Sequence, residues 1–441
     1  MCPAGSAALA FSVATVADKE LSAVYHTNPK LNTIEELLMR IRTAVFFIVI
    51  IPTLAFMPFI AKAESVPLDQ IAHVHGLAVA PSALPRLYLA THSGLFAATP
   101  DGLATRVSNL NADFMSFAAV PENPKKYYAS GHPPKGGNLG VMMSDDGGAA
   151  WRRISDGING PVDFHALTVS PKDPNILYGV YQGVQMSRDG GVNWERTGDA
   201  PEKLFSLAAS PGNTDTLYAA TMKGLLKSTD RGSTWQVAYP GQRPATMVRV
   251  TSAGHVYAFI YGTGLITSLE PELKWETAAT EFRDRFLIDL AVHPDDPKLL
   301  YALADTSAVM TSKDGGKTWY SFEGSAKATS EKLRAGARIY AESCQQCHGV
   351  GGIGERPKDM YAKDEFGFVA PPLNNDAHGW HHSDSQLVET ILNGSPRNER
   401  MIAWKDLLSP QDAENVVVYI KSLWNFRSLA CQGARHMACM R

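Results

Sequence analysis

Ser228-Thr-Asp-Arg-Gly-Ser-Thr-Trp235 is one copy of an eight-residue pattern, Ser-x-Asp-x-Gly-x-x-Trp, that returns along the chain. The intact copies are Ser144–Trp151, Ser187–Trp194, Ser228–Trp235 and Ser312–Trp319. Their tryptophans are 43, 41 and 84 residues apart, so the last interval holds one further, degenerate copy. Ser268–Trp275 fills that interval, with Glu270 in place of the aspartate. A repeat of this length indicates a stack or a ring of similar structural units.

The sequence around these segments predicts four short strands in each repeat. In the clearest repeat they are residues 205–210, 216–221, 224–229 and 235–238. Each run is apolar or β-branched and is bounded by Pro, Gly, Asn or Asp, which is typical of strands joined by turns. Four strands in about 42 residues fit one blade of a β-propeller. A degenerate first copy, Gly94-Leu-Phe96 followed by Asp101-Gly102, brings the units to six and predicts an all-β six-bladed propeller over residues 66–325.

The repeated segments resemble the Asp-box repeats of sialidases and related propellers. The resemblance implies that each aspartate accepts bonds from its own turn and that each tryptophan packs between blades. It does not imply an activity, because Asp boxes are structural turns distant from the sialidase active site. The arginine triad, nucleophilic tyrosine and acid aspartate of a sialidase have no counterparts that we place in this sequence. Glycoside hydrolysis is therefore the least favoured function.

Several histidines recur at matching positions of the predicted blades. The first strand of each blade ends at a turn proline, and the second strands of blades one and two end at His92 and His132. Because strands alternate in direction, we expect one face near the central channel to carry His73, His75, His92, Met115, His132 and His165. Imidazole and thioether ligands together suit copper, and imidazoles alone suit zinc. The alternative interpretation is a set of hydrogen-bonded histidines that line a wet channel.

Cys344-Gln-Gln-Cys347-His348 is the strongest chemical signal in the chain. Two thiols three residues apart can each add to a haem vinyl group, and the adjacent histidine supplies an axial nitrogen to the iron. A zinc site would need a second ligand pair, and none follows at zinc spacing. A thioredoxin-like pair would need a βαβ setting, whereas a helical pattern leads into this segment. The sequence therefore predicts one covalent haem c, attached through Cys344 and Cys347, with His348 as an axial ligand.

Residues 326–428 resemble class I cytochrome c domains, and the segment is predicted to be all-α. Gly336 and Tyr340 match the first helix of that family, and Tyr419-Ile420 matches the aromatic pair of its last helix. The family's Pro-x-Leu stretch corresponds to Pro371-Pro372-Leu373. The resemblance implies a haem pocket that includes Tyr340, Pro371 and Leu373. It also implies that the Pro371 carbonyl accepts a hydrogen bond from the ring of His348.

The resemblance places the second axial ligand just before the last helix, where Met401 lies. The family usually has proline after this methionine, and this chain has Ile402. That departure leaves other ligands open, namely His378, His381, His382 and Met360.

The N-terminal region predicts export. Arg40 and Arg42 precede an apolar run over residues 43–60, and Ala61-Lys-Ala63 follows as a cleavage site. This order is typical of a signal peptide, here about residues 39–63, and implies a periplasmic protein with a dispensable extension at residues 1–38. An uncleaved leader would be the only contact with a membrane.

An exported compartment permits a disulfide between the last two cysteines, Cys431 and Cys439, in a tail that spans residues 429–441. Two free thiols are the alternative.

The charge and the motifs together limit the function. The 441 residues carry a formal net charge of −3, and there is no basic patch to bind nucleic acid. The favoured function is a one-electron carrier whose propeller binds or docks a redox protein or a ligand. The alternative is an oxidoreductase in which a metal on the histidine face, copper or another ion, passes electrons to the haem. That layout resembles the quinoprotein dehydrogenases and haem nitrite reductases, which also join propellers to cytochrome domains.

Overall fold

Six antiparallel sheets follow one another along the first two thirds of the described chain. The computed structural model describes residues 65–440 except 72, 81, 83–85, 109, 283, 323–329, 360 and 378. The predicted leader and extension, residues 1–63, lie outside this range. Among the described residues, no helix has the length and apolar character needed to cross a membrane.

The strands of the first three sheets are short and mostly buried. Blade 1 consists of β1 (Ser65–Pro67), β2 (Val74–Val79), β3 (Leu87–Thr91), β4 (Gly94–Thr99) and β5 (Leu103–Arg106). Blade 2 consists of β6 (Asp113–Val120), β7 (Asn123–His132), β8 (Val141–Ser144) and β9 (Arg152–Ser155). Blade 3 consists of β10 (Ala166–Val169), β11 (Leu177–Val180), β12 (Val184–Ser187) and β13 (Glu195–Gly198).

The last three sheets repeat the same order. Blade 4 consists of β14 (Leu204–Ala209), β15 (Leu217–Thr221), β16 (Gly224–Ser228) and β17 (Gln236–Val237). Blade 5 consists of β18 (Ala245–Val250), β19 (His255–Ile260), β20 (Gly264–Leu269) and β21 (Glu276–Ala279). Blade 6 consists of β22 (Leu287–His293), β23 (Asp296–Ala304), β24 (Val309–Ser312) and β25 (Tyr320–Ser321). Each blade is an up-and-down meander of consecutive strands, and β1 adds a fifth strand beside β5.

The propeller core lies between adjacent blades. Tyr218 and Leu225 of blade 4, for example, share one buried cluster with Val248 and Val256 of blade 5. A cluster that includes Leu77 of blade 1 also includes residues of blade 6, so the last blade packs against the first. The six-bladed propeller predicted from the repeat is therefore confirmed.

The repeated Ser-to-Trp segments form matching turns, here called aspartate turns, at the four intact positions. In the third of them Ser228 donates to the Asp230 carboxylate at 2.7 Å and accepts from the Gly232 amide at 2.8 Å. Asp230 also accepts from the Thr234 amide at 2.8 Å, and the Trp235 ring donates to the Gly232 carbonyl at 3.1 Å. These bonds satisfy the polar groups of a tight turn and fix the tryptophan against it.

The degenerate copy in blade 5 makes different contacts. The Glu270 carboxylate accepts from the Tyr218 hydroxyl at 2.6 Å and from the Ser210 hydroxyl at 2.7 Å, both in blade 4. The Trp275 ring donates to the Ala238 carbonyl at 2.8 Å. The longer glutamate thus ties blade 5 to its neighbour instead of closing a local turn.

The C-terminal region is mainly helical, as the sequence predicts. Its helices are α1 (Ser330–Ile339), α2 (Gln345–His348), α3 (Asp384–Asn393), α4 (Pro410–Ser422), α5 (Phe426–Ala430) and α6 (His436–Cys439). A two-stranded hairpin, β26 (Lys363–Asp364) and β27 (Gly367–Phe368), lies between α2 and α3. Ser409 caps α4 with Asp412 in a reciprocal pair of hydrogen bonds, and Pro410 follows at the first helical position.

Helices α1 and α4 cross at Gly336. A Cβ atom at this position would lie 1.9 Å from the Asn415 carbonyl oxygen. Tyr340, one turn later, stacks near Tyr419 with ring centroids 4.8 Å apart. Only glycine permits this close approach of the two backbones.

The chain beyond α4 packs against the propeller. Phe426 lies with its ring centroid 4.4 Å from that of Phe282, in a buried cluster shared by blades 5 and 6 and the helices. The Thr306 hydroxyl of blade 6 donates to the Ala430 carbonyl at 2.7 Å. Cys431 and Cys439 are bonded, with sulfur atoms 2.01 Å apart. The tail therefore joins the helical region to the propeller.

Candidate haem site and histidine face

The two cysteines of the Cys-x-x-Cys-His segment lie where a helix changes pitch. A single π-helical turn, Tyr340–Cys344, continues α1 and is followed by α2. The residue after α2 is Gly349, which caps the helix with a φ of 75°. Both Cys344 and Cys347 are free thiols, the first half-buried and the second exposed. The turn thus presents two unbonded sulfur atoms and one imidazole on a short, well-defined segment.

The ring of His348 is oriented by a backbone carbonyl. Its Nδ1 atom lies 2.9 Å from the Pro371 oxygen. Burial lowers the pKa of His348, and the hydrogen bond to Pro371 opposes that effect. A neutral ring that donates from Nδ1 leaves the Nε2 lone pair for a metal, as in other metal-ligating histidines. The donor set therefore fits an iron-bound haem.

The thiol of Cys344 does not resemble a redox-active thiolate. Burial, followed by the neighbouring Cys347, raises its pKa to about 11. The reactive cysteines of disulfide oxidoreductases have lowered pKa values instead. This environment disfavours the thioredoxin-like interpretation of the pair.

The predicted pocket residues surround this segment. The Tyr340 hydroxyl donates to the Gly349 carbonyl at 2.8 Å, directly after the histidine. The Leu373 carbonyl accepts from the Trp424 ring at 2.8 Å. Cys344, Leu373 and Met401 are all partly buried against one apolar cluster. The structure thus brings the predicted pocket residues and Met401 to the same core.

The alternative axial ligands have other surroundings. His381 stacks on His436 of the tail with ring centroids 4.7 Å apart. The carbonyl of His382 accepts from the Gln432 side chain at 3.2 Å. His378 and Met360 lie outside the described residues.

An ion-pair network next to Met401 is absent from the sequence predictions. Arg400 lies 2.9 Å from the Glu355 carboxylate and 2.8 Å from the Asp364 carboxylate. These contacts raise the pKa of Arg400, chiefly through the hydrogen bond to Glu355. The three residues are far apart in sequence, so no local pattern reveals them. Together they hold the Met401 segment beside the chain that follows His348.

The propeller histidines form two clusters, each completed by an aspartate. The first cluster is His75, His92 and Asp113, and the second is His132, Asp163 and His165. Within each cluster the candidate ligand atoms lie within 4.8 Å of one another. All predicted histidines except His73 supply an atom to one of them.

The first cluster is open at its centre. The Nε2 atoms of His75 and His92 lie 3.6 and 3.8 Å from the two oxygens of the Asp113 carboxylate. The ring of His73 stacks on that of His92, with centroids 4.8 Å apart. Burial lowers the pKa of His75, and the Asp113 carboxylate opposes that effect.

In the second cluster the side chains contact one another directly. The Nε2 atoms of His132 and His165 lie 3.0 and 2.6 Å from the same Asp163 oxygen. The hydrogen bond to Asp163 raises the pKa of His165.

The histidine pattern does not predict Asp113 and Asp163 as site residues, although both occur at matching positions of the repeat. Asp113-Phe-Met115 begins β6 of blade 2, and Asp163-Phe-His165 directly precedes β10 of blade 3. Blade 1 has His73-Val-His75 at the corresponding position. Met115 thus takes the position of His75 and His165, and it is half-buried.

Comparison with known proteins identifies the helical region. Residues 331–420 match the family described as cytochrome c oxidase, cbb3-type, subunit III. A cbb3-type cytochrome c oxidase subunit FixP from Bradyrhizobium sp. (strain ORS 278) is 36% identical over 89 residues, which cover 20% of this chain and 27% of that protein. The FixP subunit of Sinorhizobium medicae (strain WSM419) is 29% identical over 98 residues, which cover 21% of this chain and 30% of that protein. The chain thus spans less than a third of these relatives.

The solved structures that this chain resembles are more distant in sequence. A GH74 xyloglucanase from Xanthomonas campestris is 17% identical, with a TM-score of 0.42 over 64% of this chain and 49% of that chain. YCF48 bound to D1 peptide is 19% identical, with a TM-score of 0.40 over 60% of this chain and 86% of that chain. The six sheets and the match over residues 331–420 lead to one conclusion: the chain joins a six-bladed β-propeller to a C-terminal cytochrome c domain, a type of domain that implies a covalent haem c and electron transfer.

Proposed function

We propose that this protein is a periplasmic c-type cytochrome that carries single electrons, and that its propeller docks a redox partner. The observation that carries the proposal is the Cys344-x-x-Cys347-His348 segment, with the Nδ1 atom of His348 held 2.9 Å from the Pro371 oxygen. Free thiols and an oriented imidazole on one short helical segment fit covalent haem attachment.

Four side chains would hold the haem. Cys344 and Cys347 would form the two thioethers, His348 Nε2 would be one axial ligand, and the Met401 sulfur would be the other. When bound, haem supplies a one-electron iron couple, and a thioether ligand raises its potential relative to two imidazoles.

The surrounding residues position these ligands. The Pro371 carbonyl fixes the orientation of His348, and the Tyr340 hydroxyl braces the loop that starts at Gly349. Arg400 holds the ligand segment through Glu355 and Asp364. Fixed ligands limit the rearrangement that accompanies a change in the iron's charge, which favours electron transfer.

Two features support the periplasmic assignment. The predicted leader at residues 39–63 is typical of export. The bond between Cys431 and Cys439 suits an oxidising compartment, since cytosolic proteins keep such thiols reduced.

The docking role rests on the way in which the propeller meets the cytochrome domain. Arg285 and Thr306 of blade 6 contact the tail at Cys439 and Ala430. Arg285 precedes β22 and Thr306 follows β23, at the ends of the strands where Asp113 begins β6 and His92 follows β3. The tail and the first histidine cluster therefore lie on the same face of the propeller. A partner bound there would lie on the side of the propeller that carries the haem domain.

A potentiometric titration of the purified full-length protein, followed through haem absorbance, tests this function. We expect a single one-electron transition, together with fast electron exchange with a small redox protein. Absence of any reversible haem transition would overturn the proposal.

A second candidate function is favoured by the histidine clusters. In it the propeller is itself catalytic and passes electrons to the haem. Catalysis would require both a bound metal and reduction of the haem by a substrate, so metal binding alone does not establish this second function.

A further inference from the structure

We infer that the propeller face carries two adjoining sites for divalent late transition metal ions. The first consists of His75, His92 and Asp113, and the second of His132, Asp163 and His165. Each set offers two imidazoles and one carboxylate, a donor combination that binds zinc, copper and related ions. This inference goes beyond the electron-carrier function, which needs only the haem.

The spacing in the first cluster fits a metal ion better than hydrogen bonds. The distances of His75 and His92 from the Asp113 oxygens, 3.6 and 3.8 Å, are too long for hydrogen bonds. Ligands about 2.0–2.2 Å from a tetrahedral ion lie about 3.3–3.6 Å from one another. The two imidazole-to-carboxylate separations are therefore close to those that one ion would require, and all three ligand atoms lie within 4.8 Å of one another.

Buried polar atoms without partners mark both clusters. Among the described residues, His75 Nε2, Asp113 Oδ1 and Asp163 Oδ1 are buried and accept or donate no hydrogen bond. Such atoms are rare in native proteins, because leaving them unsatisfied costs free energy. Two imidazoles that converge on one oxygen of Asp163 leave its second oxygen free for an ion. One metal ion in each cluster would supply the missing partners of these atoms.

The two clusters share two repeat positions and differ in the third: His75 comes from the blade before its aspartate, whereas His165 comes from the same blade as its aspartate. His92 follows β3 of blade 1 and His132 ends β7 of blade 2, whereas Asp113 begins β6 of blade 2 and Asp163 precedes β10 of blade 3. Strand β6 contacts both β2 and β10, so the two clusters lie in adjacent gaps between blades. The same donor set thus occurs in two successive gaps between blades.

Side-chain exposure makes two histidines suitable for substitution. The side chains of His92 and His165 are 49% and 60% exposed, so glutamine at either position should not disturb packing. His255 is an exposed histidine that begins the second strand of blade 5, so it lies on the opposite face and serves as the matched control.

Equilibrium dialysis tests the inference. The haem-loaded full chain is first stripped of other metals with a chelator and is then dialysed against Cu²⁺ or Zn²⁺ in separate experiments. The haem iron content gives the protein concentration to which the bound metal is referred. We expect two ions per haem in at least one arm, with Cu²⁺ binding the more tightly. His92→Gln and His165→Gln should each weaken one site about tenfold or more, while His255→Gln keeps both. Nitrogen hyperfine coupling in the Cu²⁺ electron paramagnetic resonance spectrum provides a readout independent of the haem.

Two results would overturn the inference. One is the binding of fewer than two ions per haem in both metal arms. The other is binding that persists unchanged in both variants although their haem spectra and far-ultraviolet circular dichroism match the parent protein.

Discussion

At the scale of single residues, the haem segment and the helix crossing follow directly from side-chain chemistry. Gly336 is a glycine because the backbone of α4 leaves no room for a Cβ atom. His348 is followed by a chain that returns to place the Pro371 carbonyl against its ring. Both contacts join residues that are distant in sequence, so they are expected from the resemblance to class I cytochrome c domains and not from a local pattern.

Replacing Met401 tests its role as an axial ligand. We expect Met401→Ala to lose the weak long-wavelength absorbance of methionine-ligated ferric haem and to lower the midpoint potential, because a thioether favours the reduced iron. Met437→Ala, at an exposed methionine of the tail, should leave both unchanged. An unchanged spectrum and potential in Met401→Ala would assign the ligand to another side chain.

Replacing Gly336 tests the helix crossing. Gly336→Ala should lower the free energy of unfolding by about 1–3 kcal/mol, since the added methyl group overlaps the Asn415 carbonyl. Arg334→Ala, on the exposed side of the same helix, is the control. Chemical denaturation monitored by haem absorbance measures both. A more stable Gly336→Ala variant would contradict the close approach.

The two histidine clusters of the propeller show where residue-level prediction ends. The histidines were recognised by their matching positions in the repeat, but Asp113 and Asp163 were not. Aspartates that precede strands are common turn residues, so their presence alone does not indicate a ligand. Only the folded ring shows that Asp113 lies beside two histidines of the preceding blade, and that Asp163 lies beside one histidine of the preceding blade and one of its own.

At the scale of elements, the aspartate turns explain why the same eight-residue pattern recurs in successive blades. Each turn fixes a carboxylate with amide and hydroxyl donors, and this raises the stability of the hairpin between the third and fourth strands. Hydrogen bonds from the Thr234 hydroxyl and amide hold the pKa of Asp230 down at about 2. The degenerate blade 5 copy could be located from its spacing, but its bonds to Tyr218 and Ser210 could not, since they join different blades.

Acidification tests the aspartate turns. Because the folded-state pKa of Asp230 is lowered, its contribution to stability is present above its unfolded pKa near 3.8 and is lost as the pH falls through about 2. Asp230→Asn should therefore be less stable than the parent at pH 7, and the difference should shrink towards pH 2. Denaturant unfolding at the two pH values measures this.

The matched control is Asp145→Asn. Asp145 is exposed and occupies the variable position between Ser144 and Asp146 in the equivalent turn of blade 2. It should change stability little at either pH. If Asp230→Asn lost as much stability at pH 2 as at pH 7, the ionised carboxylate would not be the stabilising group.

At the scale of the whole molecule, the tail fixes the cytochrome domain to the propeller. Phe426 packs against Phe282 and Trp319, and Arg435 donates to the Leu68 carbonyl at 2.9 Å. The sequence predicted the pairing of Cys431 with Cys439 but not this role of the tail. An interface between parts of the chain more than a hundred residues apart leaves no periodic pattern to read.

Removing the central aromatic contact tests the coupling of the two domains. Phe426→Ala should cost about 3–5 kcal/mol of interface stability, because it leaves a cavity between Phe282 and Trp319. In the Phe426→Ala variant we expect the propeller and the cytochrome domain to unfold in two separate transitions in differential scanning calorimetry, unlike in the parent protein. Met440→Ala, at an exposed residue of the tail, should preserve the parent profile. A parent-like profile in Phe426→Ala would show that other contacts couple the domains.

The central claim is that this polypeptide holds a haem covalently through two thioethers and binds its iron through one imidazole. The most direct measurement is the haem absorbance that remains with the chain after denaturation and acidic solvent extraction, using protein from a host that matures c-type cytochromes. We predict one haem per chain in the parent and none retained in a Cys344→Ala, Cys347→Ala double variant. Complete extraction of haem from the parent protein, or equal retention by the double variant, would contradict the account.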